Sequence, residues 1–178
     1  MMKGVVRMPR ISKDEYYLGI ALAVSKRSTC LKRHYGCVIV NDDIIVATGY
    51  NGNPRGEENC CDTGICKREN AARYSGYENC NAVHAEQNAI IAAQRKNIMG
   101  GTAYLACEEV VKVEVPEKAF KGGRAFMDTY VEDENPVPCN ICLNMLKNAG
   151  ISRIVNKKGT IYKRVGEVEY AVDADTKL

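Results

Sequence analysis

The chain has 178 residues, 46% of them hydrophobic, which suits one compact globular domain over residues 1–178. The formal net charge of +3 comes from 25 basic and 22 acidic residues spread along the sequence, so nothing in the charge demands a nucleic-acid partner. Because no stretch approaches the about 18 apolar residues of a membrane span, and residues 1–10 lack the apolar core of a signal peptide, we expect a soluble, cytoplasmic protein.

The first predicted elements are a helix and a β-hairpin. Ser12 followed by Glu15 has the spacing of a capping box, which predicts a helix that begins here and ends near Arg27. Two runs rich in β-branched residues follow, at 37–40 and 44–48. The short polar turn between these runs is typical of a hairpin.

The next segment, residues 52–83, is rich in Gly, Asn, charge and Cys and shows no convincing periodicity apart from a helical turn or two between residues 67 and 74. Without an export signal, its cysteines are better interpreted as thiols or metal ligands than as disulfides. The cysteines of this loop are Cys60, Cys61, Cys66 and Cys80. We therefore expect a loop that needs a stabilising interaction of its own.

Helices and strands alternate in the rest of the chain. A helix is predicted from His84 to the stop at Gly100, and a second one at 139–148. Strands are predicted at 102–107 and 151–155. This alternation without repeats favours an α/β sandwich over a bundle or a barrel.

The two predicted helix openings carry side chains suited to a metal site. His84 opens the first of these helices, and Cys139 and Cys142 form a Cys-x-x-Cys pair at the start of the second. The helix dipole helps to keep the two thiols as thiolates, the form that binds metal. Zinc with three protein ligands keeps a fourth position for water, which is the arrangement of a catalytic site.

Glu86 lies two residues after His84 and can sit beside the metal without binding it. There it can take a proton from zinc-activated water, whose pKa falls from about 15.7 towards about 7. Alone, a Cys-x-x-Cys is more often a structural zinc half-site or a redox pair, and a His-x-Glu occurs by chance. Together and in this order they match the signature of zinc deaminases, in which the glutamate carries protons to the base and to the departing amine.

The sequence resembles the cytidine and deoxycytidylate deaminase superfamily, and within it the deoxycytidylate (dCMP) deaminases most closely. The resemblance spans about residues 12 to 155. The stretches that carry it are Arg27-Ser28-Thr29-Cys30, Gly36-Cys37-Val38-Ile39-Val40, Thr48-Gly49-Tyr50-Asn51-Gly52-Asn53-Pro54 and His84-Ala85-Glu86-Gln87-Asn88-Ala89-Ile90.

The resemblance implies a cytidine deaminase-like fold, a three-layer α/β/α sandwich around a mixed sheet of roughly five strands. It implies zinc bound by His84, Cys139 and Cys142, with Glu86 as the proton shuttle. The implied reaction is hydrolysis of dCMP to dUMP, a precursor of thymidylate. It also implies a homo-oligomer, commonly a hexamer, activated by dCTP and inhibited by dTTP. Asn51 matches a substrate-contacting position, although a structural role in a turn explains this residue equally well.

Two further features depart from the common family pattern. Some members carry a second, structural zinc; here it would need a mostly thiolate ligand set, which we predict to be Cys30, Cys60, Cys66 and Cys80, with Cys61 as a rival to Cys60. Reduced thiols without a metal are the alternative. An insert at about 108–137 interrupts the core, which spans about 12–165; it is predicted to form a β-hairpin of 111–115 with 124–130 that serves as a lid or as a subunit contact.

Two other functions compete with dCMP deamination. A polynucleotide editor, such as a tRNA adenosine deaminase, uses the same zinc chemistry but usually needs a continuous basic surface and stacking aromatics. The chain has no Trp and only two Phe, although ten Tyr leave this alternative open. The other competitor is a non-catalytic, zinc-stabilised protein related to competence, which the intact His84, Glu86, Cys139 and Cys142 disfavour.

Overall fold

A computed structural model describes residues 9–72, 75–115, 125–165 and 169–172 of the chain. The elements, in chain order, are α1 (Lys13–Ser25), β1 (Arg33–Asn41), β2 (Ile44–Tyr50), α2 (Cys60–Thr63), a 3-10 turn (Tyr77–Asn79), α3 (Ala85–Ala92), α4 (Arg95–Ile98), β3 (Thr102–Val115), β4 (Ala125–Glu132), α5 (Asn140–Ala149), β5 (Arg153–Asn156), β6 (Gly159–Val165) and β7 (Glu169–Val172). None of the helices in these ranges has the length and apolar character needed to cross a membrane.

The strands form one mixed sheet in the order β2-β1-β3-β5-β6-β7. Only the pairing of β3 with β5 is parallel among the described strands, and the crossover between these two strands contains α5. The sheet is larger than the roughly five strands expected from the sequence. The additional strands arise because β4 pairs with the outer part of β3, and because β6 and β7 extend the sheet beyond β5.

One face of the sheet is covered by α1. This helix begins with the predicted capping box, in which the Glu15 amide donates to Ser12 Oγ and the Ser12 amide donates to Glu15 Oε2. Tyr17 and Ala21 of α1 are buried against apolar side chains of β1, β3 and β5. The helix lies directly over Gly36, where a Cβ atom would come within 2.0 Å of the Ala21 carbonyl oxygen. No side chain larger than hydrogen fits at this crossing.

The opposite face is covered by α3, α4 and α5. Their buried side chains pack with Cys37, Ile39 and Leu105 of the central strands into a single apolar cluster. Helices on both faces of one sheet make three layers, so the α/β/α prediction is confirmed. The thiol of Cys37 is one of the buried apolar groups of this core, as is usual for a cysteine that binds no metal.

The long helix predicted from His84 to Gly100 is divided in two. The break lies at Ala93, whose φ of −93° and ψ of 156° are those of an extended residue. After the break, Ile98 of α4 points into the core and is completely buried, while the Asn41 side chain donates to the Asn97 and Met99 carbonyls. The prediction of one continuous helix was wrong because this tertiary packing outweighs the helix propensity of an Ala-rich segment.

The insert forms the predicted β-hairpin. Strand β3 continues to Val115 and pairs antiparallel with β4, in a register that places Val113 opposite Met127. Residues 116–124, including the N-terminal end of the predicted partner strand, lie outside the described residues. The hairpin therefore extends the central strand of the sheet well beyond the core.

Candidate metal centre and its cavity

The candidate metal centre lies where the N-termini of α3 and α5 meet. Helix α3 approaches β2 closely because Gly49 has no side chain: a Cβ atom there would lie 2.2 Å from the Ala85 carbonyl oxygen. The residue before His84 is held by two backbone hydrogen bonds between Gly52 and Val83, of 3.1 and 2.8 Å. Sheet and loop thus fix the position of His84, which caps α3.

The second half of the centre is supported from β5. The buried side chain of Asn156 donates to Asn135 Oδ1 at 2.8 Å and to the Pro136 carbonyl at 3.0 Å. These bonds hold the segment that leads to Cys139, the N-cap residue of α5. Cys142, one turn further into the helix, is completely buried.

The three candidate ligands lie close together. His84 Nδ1 is 3.5 Å from Cys139 Sγ and 3.3 Å from Cys142 Sγ, and all three ligand atoms lie within 4.8 Å of one another. Zinc bonds of 2.0 to 2.3 Å in a tetrahedron imply ligand separations of about 3.5 Å. One imidazole and two thiols at these distances therefore match the chemistry and the geometry of a zinc site.

The pKa values of the two thiols are also consistent with a site that binds a cation. Hydrogen bonds from the Cys142 thiol, from His84 and from the Cys142 amide lower the pKa of Cys139 to about 4, although partial burial opposes this shift. The pKa of Cys142 is raised, first because its thiol donates to Cys139 and second because it is buried. The pair thus shares a proton that a metal ion can replace, and metal binding here will release protons.

Glu86 is a buried carboxyl group beside this cluster. It is only 3% exposed, and burial raises its pKa, while the neighbouring His84 opposes the shift. Among the described residues, the close group of potential ligands contains His84, Cys139 and Cys142 but not Glu86. A carboxyl group that holds a proton more readily than usual, next to a metal position, is suited to proton transfer.

A cavity of about 240 Å³ opens in front of the candidate ligands. His84, Glu86 and Cys139 form part of its wall. Much of the remaining wall comes from the residue after β2, the first residues of β1, Glu109 of β3 and the cysteine-rich loop, and it includes Asn51, Arg68 and Tyr77. A small cavity with a few polar groups converging on one point is typical of a site for a small molecule.

Asn51 lies in the cavity wall but is extensively bonded to the protein. Its Oδ1 accepts from Ser28 Oγ at 2.7 Å and from the Tyr35 amide at 2.8 Å, and its Nδ2 donates to the Arg33 carbonyl at 2.9 Å. Asn51 therefore ties the end of β2 to β1 and to the turn after α1. The contact with a substrate stays a prediction beside this structural role.

The four cysteines predicted for a second metal line a neighbouring cavity and are half-buried. The pKa of Cys60 is raised, first by burial and then by the proximity of Cys30, Cys66 and Cys80. Cys61 is exposed instead, and its thiol donates to Asp62. In the described ranges only the group at His84 has its ligand atoms within 4.8 Å of one another, so the loop sulfurs are more widely spaced.

Several residues of the cavity wall were not predicted from the sequence. Lys32, Arg68 and Tyr77 all line the cavity, and the Arg68 guanidinium carbon lies 4.3 Å from the centroid of the Tyr77 ring. The Tyr77 ring centroid lies in turn 5.2 Å from that of His84. Tyr77 lies outside any periodic segment. Arg68 lies in the helical turn or two predicted between residues 67 and 74, where the described residues form no helix, and that pattern does not mark it as a cavity residue.

Comparison with known proteins identifies a family. Residues 11–158 match the family model of the cytidine and deoxycytidylate deaminase zinc-binding region. A deoxycytidylate deaminase of Mycobacterium phage D29 is 32% identical over 158 residues, which cover 85% of this chain and 98% of the phage protein. A deoxycytidylate deaminase of Schizosaccharomyces pombe is 45% identical over 101 residues, or 56% of this chain. That match covers only 31% of the yeast protein, so the chain corresponds to a part of it.

The fold is also found in a solved structure. The dCMP deaminase of cyanophage S-TIM5, crystallised with dCMP and dUMP, superposes with a TM-score of 0.53 over 83% of both chains. The two sequences are 22% identical, so this likeness is evidence for the fold alone.

Proposed function

Because the chain belongs to the family of cytidine and deoxycytidylate deaminases, we propose that it hydrolyses the 4-amino group of dCMP to give dUMP and ammonia. The observation that carries the proposal is the meeting of His84, Cys139 and Cys142 beside the buried Glu86, at the wall of a small cavity. The names of the phage and yeast relatives support dCMP as the substrate. The product would supply thymidylate synthesis.

In this proposal His84, Cys139 and Cys142 hold a zinc ion by one ring nitrogen and two thiolates. Zinc bound by three protein ligands supplies a water molecule whose pKa lies near 7. Glu86 accepts a proton from the attacking water and delivers it to N3 of the pyrimidine, which makes C4 electrophilic. Glu86 then takes the remaining proton from the oxygen now bound to C4 and delivers it to the amine, so that the C4–N bond breaks, ammonia leaves and a C4 carbonyl forms. Asn51 contacts the sugar or the edge of the base.

We also propose that Cys30, Cys60, Cys66 and Cys80 bind a second, structural zinc ion. Their shared cavity and the mutual influence of their thiols support this set, and the exposure of Cys61 favours Cys60 as the ligand. A cation would draw the sulfurs closer than they are now and would deprotonate them. The cysteine-rich loop buries little apolar surface, so such a metal would be the main source of its stability.

For assembly, we propose a homo-oligomer, a hexamer by resemblance, regulated by dCTP and dTTP. The support on the molecule is an apolar face of the insert hairpin, where the pairing of β3 with β4 brings exposed side chains to the same side. The exposed apolar side chains of this face are Val111, Val113, Met127 and Val131. Exposed apolar patches of this kind commonly mark contacts between proteins.

A substrate panel with ammonia release as the readout tests the proposed function. We expect turnover of dCMP and no release of ammonia from tRNA; dCTP in the same panel distinguishes the monophosphate from the triphosphate as substrate. Release from tRNA but not from dCMP would replace the proposal with a polynucleotide deaminase. The absence of release from every substrate, with zinc bound, would support a non-catalytic protein.

Metal analysis of the same preparation tests the two zinc sites. We expect two zinc ions per chain in the wild type and one in the Cys60→Ala variant, with Cys61→Ala as a matched control that retains both. One zinc ion per wild-type chain would remove the structural site from the proposal. A loss of zinc in Cys61→Ala, with zinc retained in Cys60→Ala, would make Cys61 the ligand in place of Cys60.

A further inference from the structure

In the part of the chain that the structure describes, the lysine and arginine side chains that line the cavity in front of the candidate metal centre are Lys32, Arg33 and Arg68. Arg33 is neutralised by two carboxylates, with Nη2 at 3.0 Å from Glu109 Oε1 and Nη1 at 2.9 Å from Asp133 Oδ2. An arginine held between two carboxylates adds little net attraction for an anion. Arg33 therefore has a structural role in the cavity wall.

Lys32 is committed to the backbone of the cysteine-rich loop. Its ammonium group lies 3.0, 3.2 and 3.4 Å from the carbonyl oxygens of Arg68, Glu69 and Ala71. A lysine has three N–H donors, so these contacts use all of them. Lys32 thus holds the turn from which the Arg68 side chain projects.

Of these three cations, Arg68 is the one with a buried donor left unpaired among the described residues. Its Nη2 donates to the Ser75 carbonyl, and its guanidinium plane packs on the Tyr77 ring. Its Nε is buried and has no hydrogen-bond partner among the residues that the structure describes. A buried N–H of a charged group costs free energy until an acceptor reaches it, so this donor is complementary to an anionic ligand.

The position of Arg68 fits one part of a nucleotide. Tyr77 lies between the Arg68 guanidinium and the His84 imidazole, so the cation and the metal ligands are separated by one aromatic ring in the same cavity. In a nucleotide the sugar separates the base from the phosphate in a similar way. A base whose amine lies at the metal centre would direct its phosphate towards Arg68.

We propose that Arg68 binds the 5′-phosphate of the substrate and thereby selects a nucleotide over the corresponding nucleoside. Lys32 acts as a positioning residue, because it holds the backbone of Arg68 without a free donor of its own. This inference rests on the proposed function, since it assigns the phosphate end of the substrate cavity.

The test compares Arg68→Gln with Lys67→Gln, a matched loss of one charge at the exposed neighbouring residue outside this cavity. The kcat/KM for dCMP and for deoxycytidine and the Kd of the product dUMP are measured for each. We expect Arg68→Gln to lose at least about tenfold in kcat/KM for dCMP and in dUMP affinity, because a charge-assisted hydrogen bond is removed. Deoxycytidine turnover and deoxyuridine binding should change by less than about twofold, and Lys67→Gln should behave as the wild type.

Three results would overturn the assignment of Arg68: unchanged affinity for dUMP, an equal loss with nucleotide and nucleoside, or a lower zinc content or melting temperature in place of a selective effect. The binding measurement also separates this inference from the proposed function. If the wild-type protein does not deaminate dCMP, the proposed function is wrong. The difference in affinity between dUMP and deoxyuridine still tests the role of Arg68.

The positioning role of Lys32 requires a double variant. If Lys32 acts through Arg68, Lys32→Met weakens dUMP binding, and Lys32→Met combined with Arg68→Gln binds dUMP no more weakly than Arg68→Gln alone. Additive losses in the double variant would contradict this role, since they would show that each residue contacts the ligand or the fold independently.

Discussion

Glu86 combines burial with closeness to the candidate ligands, and its substitution separates metal binding from proton transfer. Glu86→Gln keeps the size of the side chain but cannot carry a proton. We expect full zinc content and a loss of turnover by a factor of about 10² to 10⁴, the usual contribution of a general acid–base residue. Metal analysis and steady-state kinetics with dCMP measure the two quantities. Loss of zinc in this variant would make Glu86 a ligand.

Asp14 provides a prediction about pH that is independent of the site. Arg153 donates to both oxygens of this carboxylate at 3.0 and 2.5 Å, and Tyr104 donates at 2.9 Å. The hydrogen bond from Arg153 is the main reason why the pKa of Asp14 lies below its ordinary value of 3.8, although partial burial opposes it. A lowered pKa means that the carboxylate stabilises the fold above the unfolded value, and that this contribution disappears as the pH falls below 3.8.

Asp14→Asn should therefore destabilise the protein by roughly 1 kcal/mol near pH 7, a figure reduced by the partial exposure of the pair. Near pH 3, below the ordinary value of 3.8, the difference in stability between the wild type and the variant should be smaller than near pH 7. Urea unfolding at the two pH values measures the difference, and a difference that persists or grows in acid would contradict the role assigned to the carboxylate.

The sequence was most informative where chemistry requires particular residue types at short spacings. His84, Cys139 and Cys142 could be chosen before any coordinates, because an imidazole and a Cys-x-x-Cys at helix starts indicate zinc on chemical grounds. Arg68 could not, since its place in the cavity depends on Lys32, a residue distant in sequence, and on the ring of Tyr77. Contacts of this kind between a loop and the residue that precedes a strand leave no periodic pattern.

At the scale of elements, the crossing of α3 over β2 sets the position of His84. A methyl group at Gly49 would lie 2.2 Å from the Ala85 carbonyl oxygen and 2.4 Å from the Ala89 amide nitrogen. Gly49→Ala should therefore displace α3 and lower the free energy of unfolding by about 1 to 3 kcal/mol, with a parallel loss of zinc affinity. Chemical denaturation and zinc titration measure both effects.

Gly19→Ala is the matched control for that substitution. Gly19 lies on the exposed side of α1 with no atom within 4 Å of its Cβ position, so the same added methyl group should raise stability by roughly 0.5 to 1 kcal/mol. Equal effects of the two substitutions would mean that the close approach at Gly49 is unimportant.

The elements that local patterns describe were predicted well, and those set by packing were not. The hairpin of β1 and β2 was predictable because two β-rich runs flank a short polar turn, in which Asp42 and Asp43 adopt positive φ. The break at Ala93 was not predictable, because no Gly or Pro marks it and the burial of Ile98 decides it. Short helical turns such as α2 in the cysteine-rich loop also lack a periodic signal.

The insert hairpin is the element whose function is open to the most direct test. Its base belongs to the cavity wall, where Glu109 pairs with Arg33, whereas its outer part exposes Val113 and Met127. Replacing residues 112–128 by a two-residue turn should reduce the number of subunits while sparing the site. Sedimentation velocity and dCMP kinetics distinguish the roles: unchanged assembly would refute a subunit contact, and a raised KM alone would indicate a lid.

At the scale of the whole molecule, removal of the metal should affect stability as well as activity. An ion that binds only the folded state contributes about 4 kcal/mol at a concentration a thousandfold above its Kd. For a chain of this length that corresponds to a fall in Tm of about 10 °C on chelation. Differential scanning calorimetry with and without a chelator measures the shift. An unchanged Tm would argue against zinc as a structural component of the fold.

His84 and Cys139 are separated by 55 positions in the chain, and the segment between them contains α3, α4 and the hairpin formed by β3 and β4. An ion held by both residues is a reversible cross-link that closes this long loop. The entropic cost of closing a loop rises only slowly with its length, so one metal cross-link restrains a large part of the polypeptide at a modest cost. The same three bonds that would activate water would thus join two distant stretches of the backbone, and zinc supply would govern the lifetime of the protein against proteolysis as well as its turnover.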